Sequence, residues 1–218
     1  MRKYKLILFD FDGTLMDTSP GIIHSMQEML KALNLPQMSP DTIRSHIGPP
    51  AANFFDDNYD FPPKIANEMA TTFERLFKSE DFLNANLYAG MDNLLPLLSS
   101  LGYLVGIATN KPFDHAMALL DHFGLSHFFD VVSCGDEDSP TKKDVIQKAI
   151  HSLHVDKSQT ILFGDSKYDA EGAELAGIDF AAVTYGFGFT SDNDVKKYNH
   201  IECFHSVFEI QDYFKSIE

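Results

Sequence analysis

Apolar residues occupy both parities of Lys5-Leu6-Ile7-Leu8-Phe9-Asp10, the pattern of a strand covered on both faces, as in a parallel sheet. Runs of the same kind recur at Leu104-Val105-Gly106-Ile107-Ala108-Thr109, Val131-Val132-Ser133-Cys134, Thr160-Ile161-Leu162-Phe163-Gly164 and Phe180-Ala181-Ala182-Val183-Thr184. Helical spacing fills the intervals. Leu94, Leu95, Leu98 and Leu101 lead to Gly102, and Ala116, Leu119, Leu120 and Phe123 lead to Gly124, each glycine placed to end its helix in the left-handed conformation. Strand and helix alternating in this way predict an α/β fold, a doubly wound, Rossmann-like parallel sheet.

One stretch breaks the alternation. Between Thr18 and Leu87 no strand pattern is found. Ile22, Ile23, Met26, Met29, Leu30 and Leu33 form one helical stripe, and Ile65, Met69, Thr72, Phe73, Leu76 and Phe77 another; both are read as core packing. Ser39-Pro40 reads as the N-cap and first residue of a third helix. The expected organisation is therefore an α/β core of residues 1–17 and 88–218 with an inserted helical cap over 18–87, large enough to close over the sheet.

Composition narrows the function. The chain of 218 residues is 44 % hydrophobic and 22 % charged, enough apolar material for a packed core. Its 32 acidic against 17 basic residues give a net charge of −15, which argues against nucleic acid and anionic membrane as partners. Cys134 and Cys203 stand in apolar runs and are expected as buried thiols. Only six apolar-rich positions precede Asp10, too few for a signal peptide or membrane span, so a cytoplasmic protein is expected, as monomer or homodimer.

The acids carry the chemistry. Asp10 and Asp12 leave the carboxyl end of the first strand on the same face, ~7 Å apart along the chain. Asp165 and Asp169 leave the strand Thr160–Gly164 at the equivalent place. Thr109 and Asn110 close a third strand, and Lys142 and Lys143 open a helix. Any one of these acids would ordinarily be a cap or turn residue. Four acids, a hydroxyl and a cation converging where open α/β sheets bind ligands are a different matter. Hard oxygen ligands suit Mg²⁺, and beside a nucleophilic carboxylate and a lysine they point to phosphoryl transfer on a small phosphate ester.

The segment Asp10-Phe11-Asp12-Gly13-Thr14-Leu15 resembles the first motif of the haloacid dehalogenase superfamily of phosphohydrolases. Thr109-Asn110-Lys111-Pro112 resembles the second motif, Lys142 the third, and Gly164-Asp165-Ser166-Lys167-Tyr168-Asp169 the fourth. The helical insert is similar to the superfamily's small α-helical cap. Thr109–Pro112 and His46-Ile47-Gly48-Pro49-Pro50 are most similar to the phosphoglycolate phosphatase-like branch. The superfamily's usual Lys-Pro pair is replaced here by Lys142-Lys143.

The resemblance implies Asp10 as nucleophile forming an aspartyl-phosphate and Asp12 as general acid and base. It implies Mg²⁺ held by Asp10, the backbone carbonyl of Asp12 and Asp165, with Asp169 as a ligand or just behind. Thr109, Asn110 and Lys142 would hold the phosphoryl oxygens. Arg44 and His46, in the cap, are the expected substrate contacts, Arg44 because a guanidinium suits a substrate carboxylate. A sugar phosphomutase and a nucleotide 5′-phosphatase would use the same core. A phosphoacceptor receiver domain would lack Asp12 and the insert, and a dehalogenase would need neither Asp12 nor the metal. Thr141-x-x-Asp144 reads as a capping box, which puts Lys142 on the buried stripe of Val145, Ile146, Ala149 and Ile150 and turns Lys143 toward water.

Overall fold

The computed structural model describes residues 3–48, 51–77, 83–136 and 138–217. Its centre is a six-stranded parallel sheet made of β1 (Leu6–Phe9), β4 (Leu104–Thr109), β5 (Val131–Cys134), β6 (Thr160–Gly164), β7 (Asp179–Val183) and β8 (Glu202–Phe204). The strand order is β5-β4-β1-β6-β7-β8. From β1 the chain winds outward through β4 and β5, then returns across β1 to β6 and continues the other way. The reversal falls at β1, where such sheets open a crevice beyond their carboxyl ends.

Both faces of the sheet are covered, as the two-parity strands require. Ile7 and Phe9 join Ile161 and Phe163 in one cluster with α5 (Met91–Ser100), α6 (Phe113–His122) and α10 (Val207–Ser216). Leu6, Leu8 and Leu162 turn to the opposite cluster under α7 (Lys142–Leu153) and α8 (Lys167–Ala176). Gly102 and Gly124 follow α5 and α6 with φ of 78° and 67°, as their sequence positions predict. The edge pieces β8, α9 (Asp192–Val195) and α10 carry patterns too short or too mixed to read from the sequence. Both cysteines are free thiols; Cys134 is buried, but Cys203 is only half-buried, with Asp192 Oδ1 3.8 Å from its sulfur, so its surroundings are not wholly apolar.

The helical unit hangs from a ribbon of β2 (Met16–Asp17) and β3 (Asn86–Leu87), paired antiparallel. This pair corrects the reading of a strand-free stretch: two residues a side are too short to show a period. The unit holds α1 (Ser19–Ala32), α2 (Pro40–Arg44), α3 (Ala51–Tyr59) and α4 (Pro63–Leu76) around their own apolar cluster. Ser39 caps α2 as expected, accepting the Thr42 N–H. In α4 the buried face is Ala66, Ala70 and Phe73, leading to Phe77, whereas Leu76 is exposed. The predicted stripe was thus rotated, because the small alanines, not the larger Ile65 and Leu76, face the core. Leu33 lies past the end of α1 and is exposed. The helix α3 was not anticipated. No helix among the described residues is long and apolar enough to cross a membrane.

Phe163 anchors the centre: it stacks on Phe9 at 5.2 Å and meets Phe204 and Phe214 at 5.8 and 6.0 Å. Phe163→Ala should lower the unfolding free energy by about 3–5 kcal/mol, measured by denaturant titration.

Candidate active site

The register of the sheet brings the acids together. Phe9 pairs with Ile107 and Phe163, which sets Asp10 one residue past this level and Thr109 and Asp165 two, all at the carboxyl ends of three adjacent strands. Asp10, Asp165 and Asp169 are all buried, and each offers a carboxylate oxygen within 4.8 Å of the others. Like charges this close need compensation. Lys142 supplies part of it: its Nζ is 2.7 Å from Asp10 Oδ1, 2.7 Å from Asp169 Oδ1 and 2.9 Å from the Ala108 carbonyl.

Local sequence explains how a lysine reaches this point. Thr141 and Asp144 form the capping box foreseen from the spacing, so Lys142 is the first helical residue of α7 and is buried, while Lys143 is only half-buried. Its stem passes against Gly172 of α8, where an added Cβ would stand 2.5 Å from Lys142 Cγ and 2.7 Å from Cβ. A second capping box starts α8. Ser166 Oγ donates to Asp169 Oδ2 at 2.6 Å, which leaves Asp169 Oδ1 for the lysine. Asp169 therefore caps the start of one helix and positions the cation of another.

Asp165 is held differently. Its Oδ2 accepts the N–H groups of Phe187 and Gly188 at 2.7 and 3.0 Å, and its Oδ1 accepts the Thr14 hydroxyl at 3.1 Å. Burial raises the Asp165 carboxyl to about 6, with Asp169 adding to the effect and these donors opposing it. Burial likewise pushes Asp10 up; Lys142 pulls it back, and Asp169 and Asp165 raise it again, leaving it near about 7. Burial opposes the charge of Lys142, but Asp10 and Asp169 outweigh that and hold the ammonium above the ordinary lysine range. Three buried carboxylates against one lysine still leave negative charge with hard oxygen donors. That set fits a small divalent cation with oxygen coordination such as Mg²⁺.

Asp12 stands outside this cluster. Its Oδ1 accepts Lys111 Nζ at 2.9 Å and Thr18 Oγ1 at 2.6 Å. Lys111 is buried, and the sequence reading gave it no role; its place directly after Thr109-Asn110 was the available signal. Thr109 Oγ1 accepts the Lys111 N–H at 3.2 Å, and Asn110 Oδ1 is buried with no hydrogen-bond partner among the described residues. Asp10, Asp12, Thr109, Asn110, Lys142 and Asp169 line one small pocket.

Above it lies a cavity of about 510 Å³ between the sheet and the helical unit, with Asp12, Asn110 and Lys111 on its floor. His46 lines this cavity, its Nδ1 donating to the Thr42 carbonyl at 2.8 Å. Pro49 and Pro50 of the same loop lie outside the described residues. Arg44 is placed elsewhere: its guanidinium is 3.4 Å from Asp17 Oδ2 and 5.0 Å from the centre of the Phe187 ring, and it does not line the cavity.

The haloacid dehalogenase-like hydrolase family profile matches residues 7–183, which takes in Asp10, Asp12, Thr109, Lys142, Asp165 and Asp169. The chain belongs to that family. Similar members include a phosphoglycolate phosphatase from Cupriavidus necator, 31 % identical over 83 % of this chain and 81 % of the other. A 5′-nucleotidase from Pseudomonas aeruginosa is 29 % identical over 85 % of each chain. A haloacid dehalogenase-like hydrolase from Streptococcus pneumoniae superimposes with a TM-score of 0.91 at 31 % identity, over 98 % of this chain and 100 % of that one.

Two outcomes are expected of this haloacid dehalogenase-like hydrolase. Gly172→Ala should force the Lys142 stem and the start of α7 to shift, cutting hydrolytic turnover on the order of 10–100-fold and lowering the thermal midpoint, while Ala173→Gly beside it should leave turnover little changed. In metal-free protein the raised Asp10 and Asp165 bind protons that the unfolded chain has already released. Their contribution to stability is complete below the unfolded value near 4 and is lost as pH rises to about 7. The melting temperature without metal should therefore fall between pH 5 and pH 8, and Asp10→Asn should flatten that slope.

Proposed function

We propose that the protein is a Mg²⁺-dependent phosphomonoester hydrolase that works through an aspartyl-phosphate on Asp10. The observation that carries this reading is the division of two carboxylates only two residues apart. Asp10 is buried against Lys142 in the acid cluster, whereas Asp12 faces the cavity with Lys111 and Thr18. Two carboxylates in two environments are suited to two roles.

In this reading an Asp10 carboxylate oxygen attacks phosphorus, and the bond from phosphorus to the leaving oxygen breaks. Asp12 delivers a proton to that oxygen and the alcohol departs. Asp12 then takes a proton from water, which attacks the phosphorus of the aspartyl-phosphate, releasing inorganic phosphate and restoring Asp10. Lys142, the Thr109 hydroxyl and Asn110 bind the phosphoryl oxygens, where charge gathers in the transition state. Lys111 and Thr18 aim the Asp12 carboxylate at the cavity. Asp10 and Asp165 would hold the metal, with Asp169 completing the cluster through Lys142; when bound, the ion neutralises carboxylate and phosphoryl charge.

Residues 18–87 act as a cap over the core of 1–17 and 88–218, since the cavity for the leaving group has walls from both. The relatives named phosphoglycolate phosphatase and 5′-nucleotidase support phosphate-ester hydrolysis as the reaction.

Hydrolysis of p-nitrophenyl phosphate should require Mg²⁺ and stop in EDTA. Asp10→Asn should abolish turnover, and Asp12→Asn should reduce it ~10²–10⁴-fold. Lys142→Ala should cost orders of magnitude in kcat while Lys143→Ala costs little. Phosphate release by Asp10→Asn at the wild-type rate would refute the nucleophile assignment.

A further inference from the structure

The cavity above Asp12 has a chemical character that its floor does not share. Its walls come largely from Met26, Ile43, Ile47, Phe54, Phe73 and Phe77. Several of the polar groups among them are already engaged. Asn67 Nδ2 donates to the Pro63 carbonyl at 2.8 Å, and Thr71 Oγ1 donates to the Asn67 carbonyl at 3.0 Å. His46 uses Nδ1 on the Thr42 carbonyl, and its Nε2 is 3.3 Å from Asn58 Nδ2.

Charge points the same way. Among the described residues Lys111 is the only lysine or arginine that lines the cavity, and it is paired with Asp12 at 2.9 Å. Asp12, Glu74 and Asp136 face the same space, and Lys148, which pairs with Asp136 at 2.6 Å, is not in the lining. Arg44, the guanidinium expected to receive a carboxylate, is instead on Asp17. A carboxylate on the leaving group would lose its water and find the cations Lys111 and Lys148 already committed to Asp12 and Asp136, with Glu74 facing the same space. An uncharged, apolar or aromatic group would bury its surface on the phenylalanines. The volume of about 510 Å³ is also far more than a two-carbon acid fills.

We propose that this cavity selects phosphomonoesters whose alcohol is uncharged, bulky and apolar or aromatic on at least one face, and that it selects against small carboxylate-bearing esters of the phosphoglycolate kind. The proposal rests on the phosphomonoesterase reading above and adds the substrate class to it. Asp10, Lys142 and the phosphoryl-binding groups serve every ester alike. Discrimination belongs to the walls, with Phe54, Phe73 and Phe77 as specificity residues and Glu74 as the repelling charge.

The test is a matched pair, phenyl phosphate and 3-carboxyphenyl phosphate, assayed with Mg²⁺ beside phosphoglycolate, 1-naphthyl phosphate and a nucleoside 5′-monophosphate. The kcat/KM for phenyl phosphate should exceed that for its carboxylated partner at least about tenfold, chiefly through KM. Either large uncharged ester should also exceed phosphoglycolate. Thr71 is exposed on α4 yet lines the cavity, so Thr71→Arg adds a cation there without disturbing the core. It should shrink or reverse the preference within the phenyl pair, while Arg44→Ala should leave the ratio unchanged. Equal or better rates for the carboxylated esters in the wild-type protein, or a phenyl-pair ratio unmoved by Thr71→Arg, would overturn the proposal. Absence of hydrolysis with every ester would overturn the phosphomonoesterase reading beneath it.

Discussion

One buried ammonium organises the catalytic end of this molecule. Lys142 bridges Asp10 and Asp169 and rests on the Ala108 carbonyl, thereby tying together β1, β4, α7 and α8. Burying such an ion is expensive, and the attraction of two carboxylates repays it only when the geometry is held. Much of the neighbourhood does that holding. The Thr141–Asp144 box sets the lysine at the first position of its helix, the Ser166–Asp169 box frees one acid oxygen for it, and Gly172 leaves the channel for its stem. A cation at a helix start is normally unfavourable by about 0.3–1 kcal/mol, and here the facing carboxylates reverse the sign.

The acid pair of β1 shows how closely spaced residues acquire different chemistry. Asp10 directly follows the strand and is buried against Lys142 at the start of α7, on the wall of the small pocket. Asp12 lies past the strand, beside the turn at Gly13, and takes its partners from Thr18 and Lys111. Gly13 itself lies so close to Asp165 that an added Cβ would stand 2.4 Å from Oδ2, with φ of 86° besides. The turn is thus fixed both by its dihedral and by the carboxylate behind it.

Much of this was legible in the sequence because it is written in local patterns. Strands buried on two faces have no polar alternation, helix ends bear glycine, and a capping box fixes register to the residue; hence five of the six strands, the helices α5, α6 and α7, and the burial of Lys142 followed from spacing. What was missed depends on partners distant in the chain. Lys111 matters because Asp12, 99 positions away, reaches it. Gly172 looks like a poor helix residue until the Lys142 stem is seen against it. Arg44 was expected over the substrate because of its charge, but Asp17 at the end of β2 was an equally good carboxylate for it. The rotated face of α4 follows the same logic: Ala66 and Ala70 carry little hydrophobic signal, yet their size is what lets α4 pack closely on its neighbours.

The ribbon of Met16–Asp17 and Asn86–Leu87 bears on modularity rather than on catalysis. The chain leaves and re-enters the core through two adjacent, hydrogen-bonded segments, so the ends of the intervening stretch lie next to each other. The crossover from β1 to β4 closes through α5 and does not depend on what is hung from the ribbon. A different insert hung from that ribbon would change the part of the cavity wall that comes from the helical unit while Asp10, Lys142 and the other acids stay in register. The ribbon thus separates the part of the chain that holds the acid cluster from a part whose walls can vary without disturbing it.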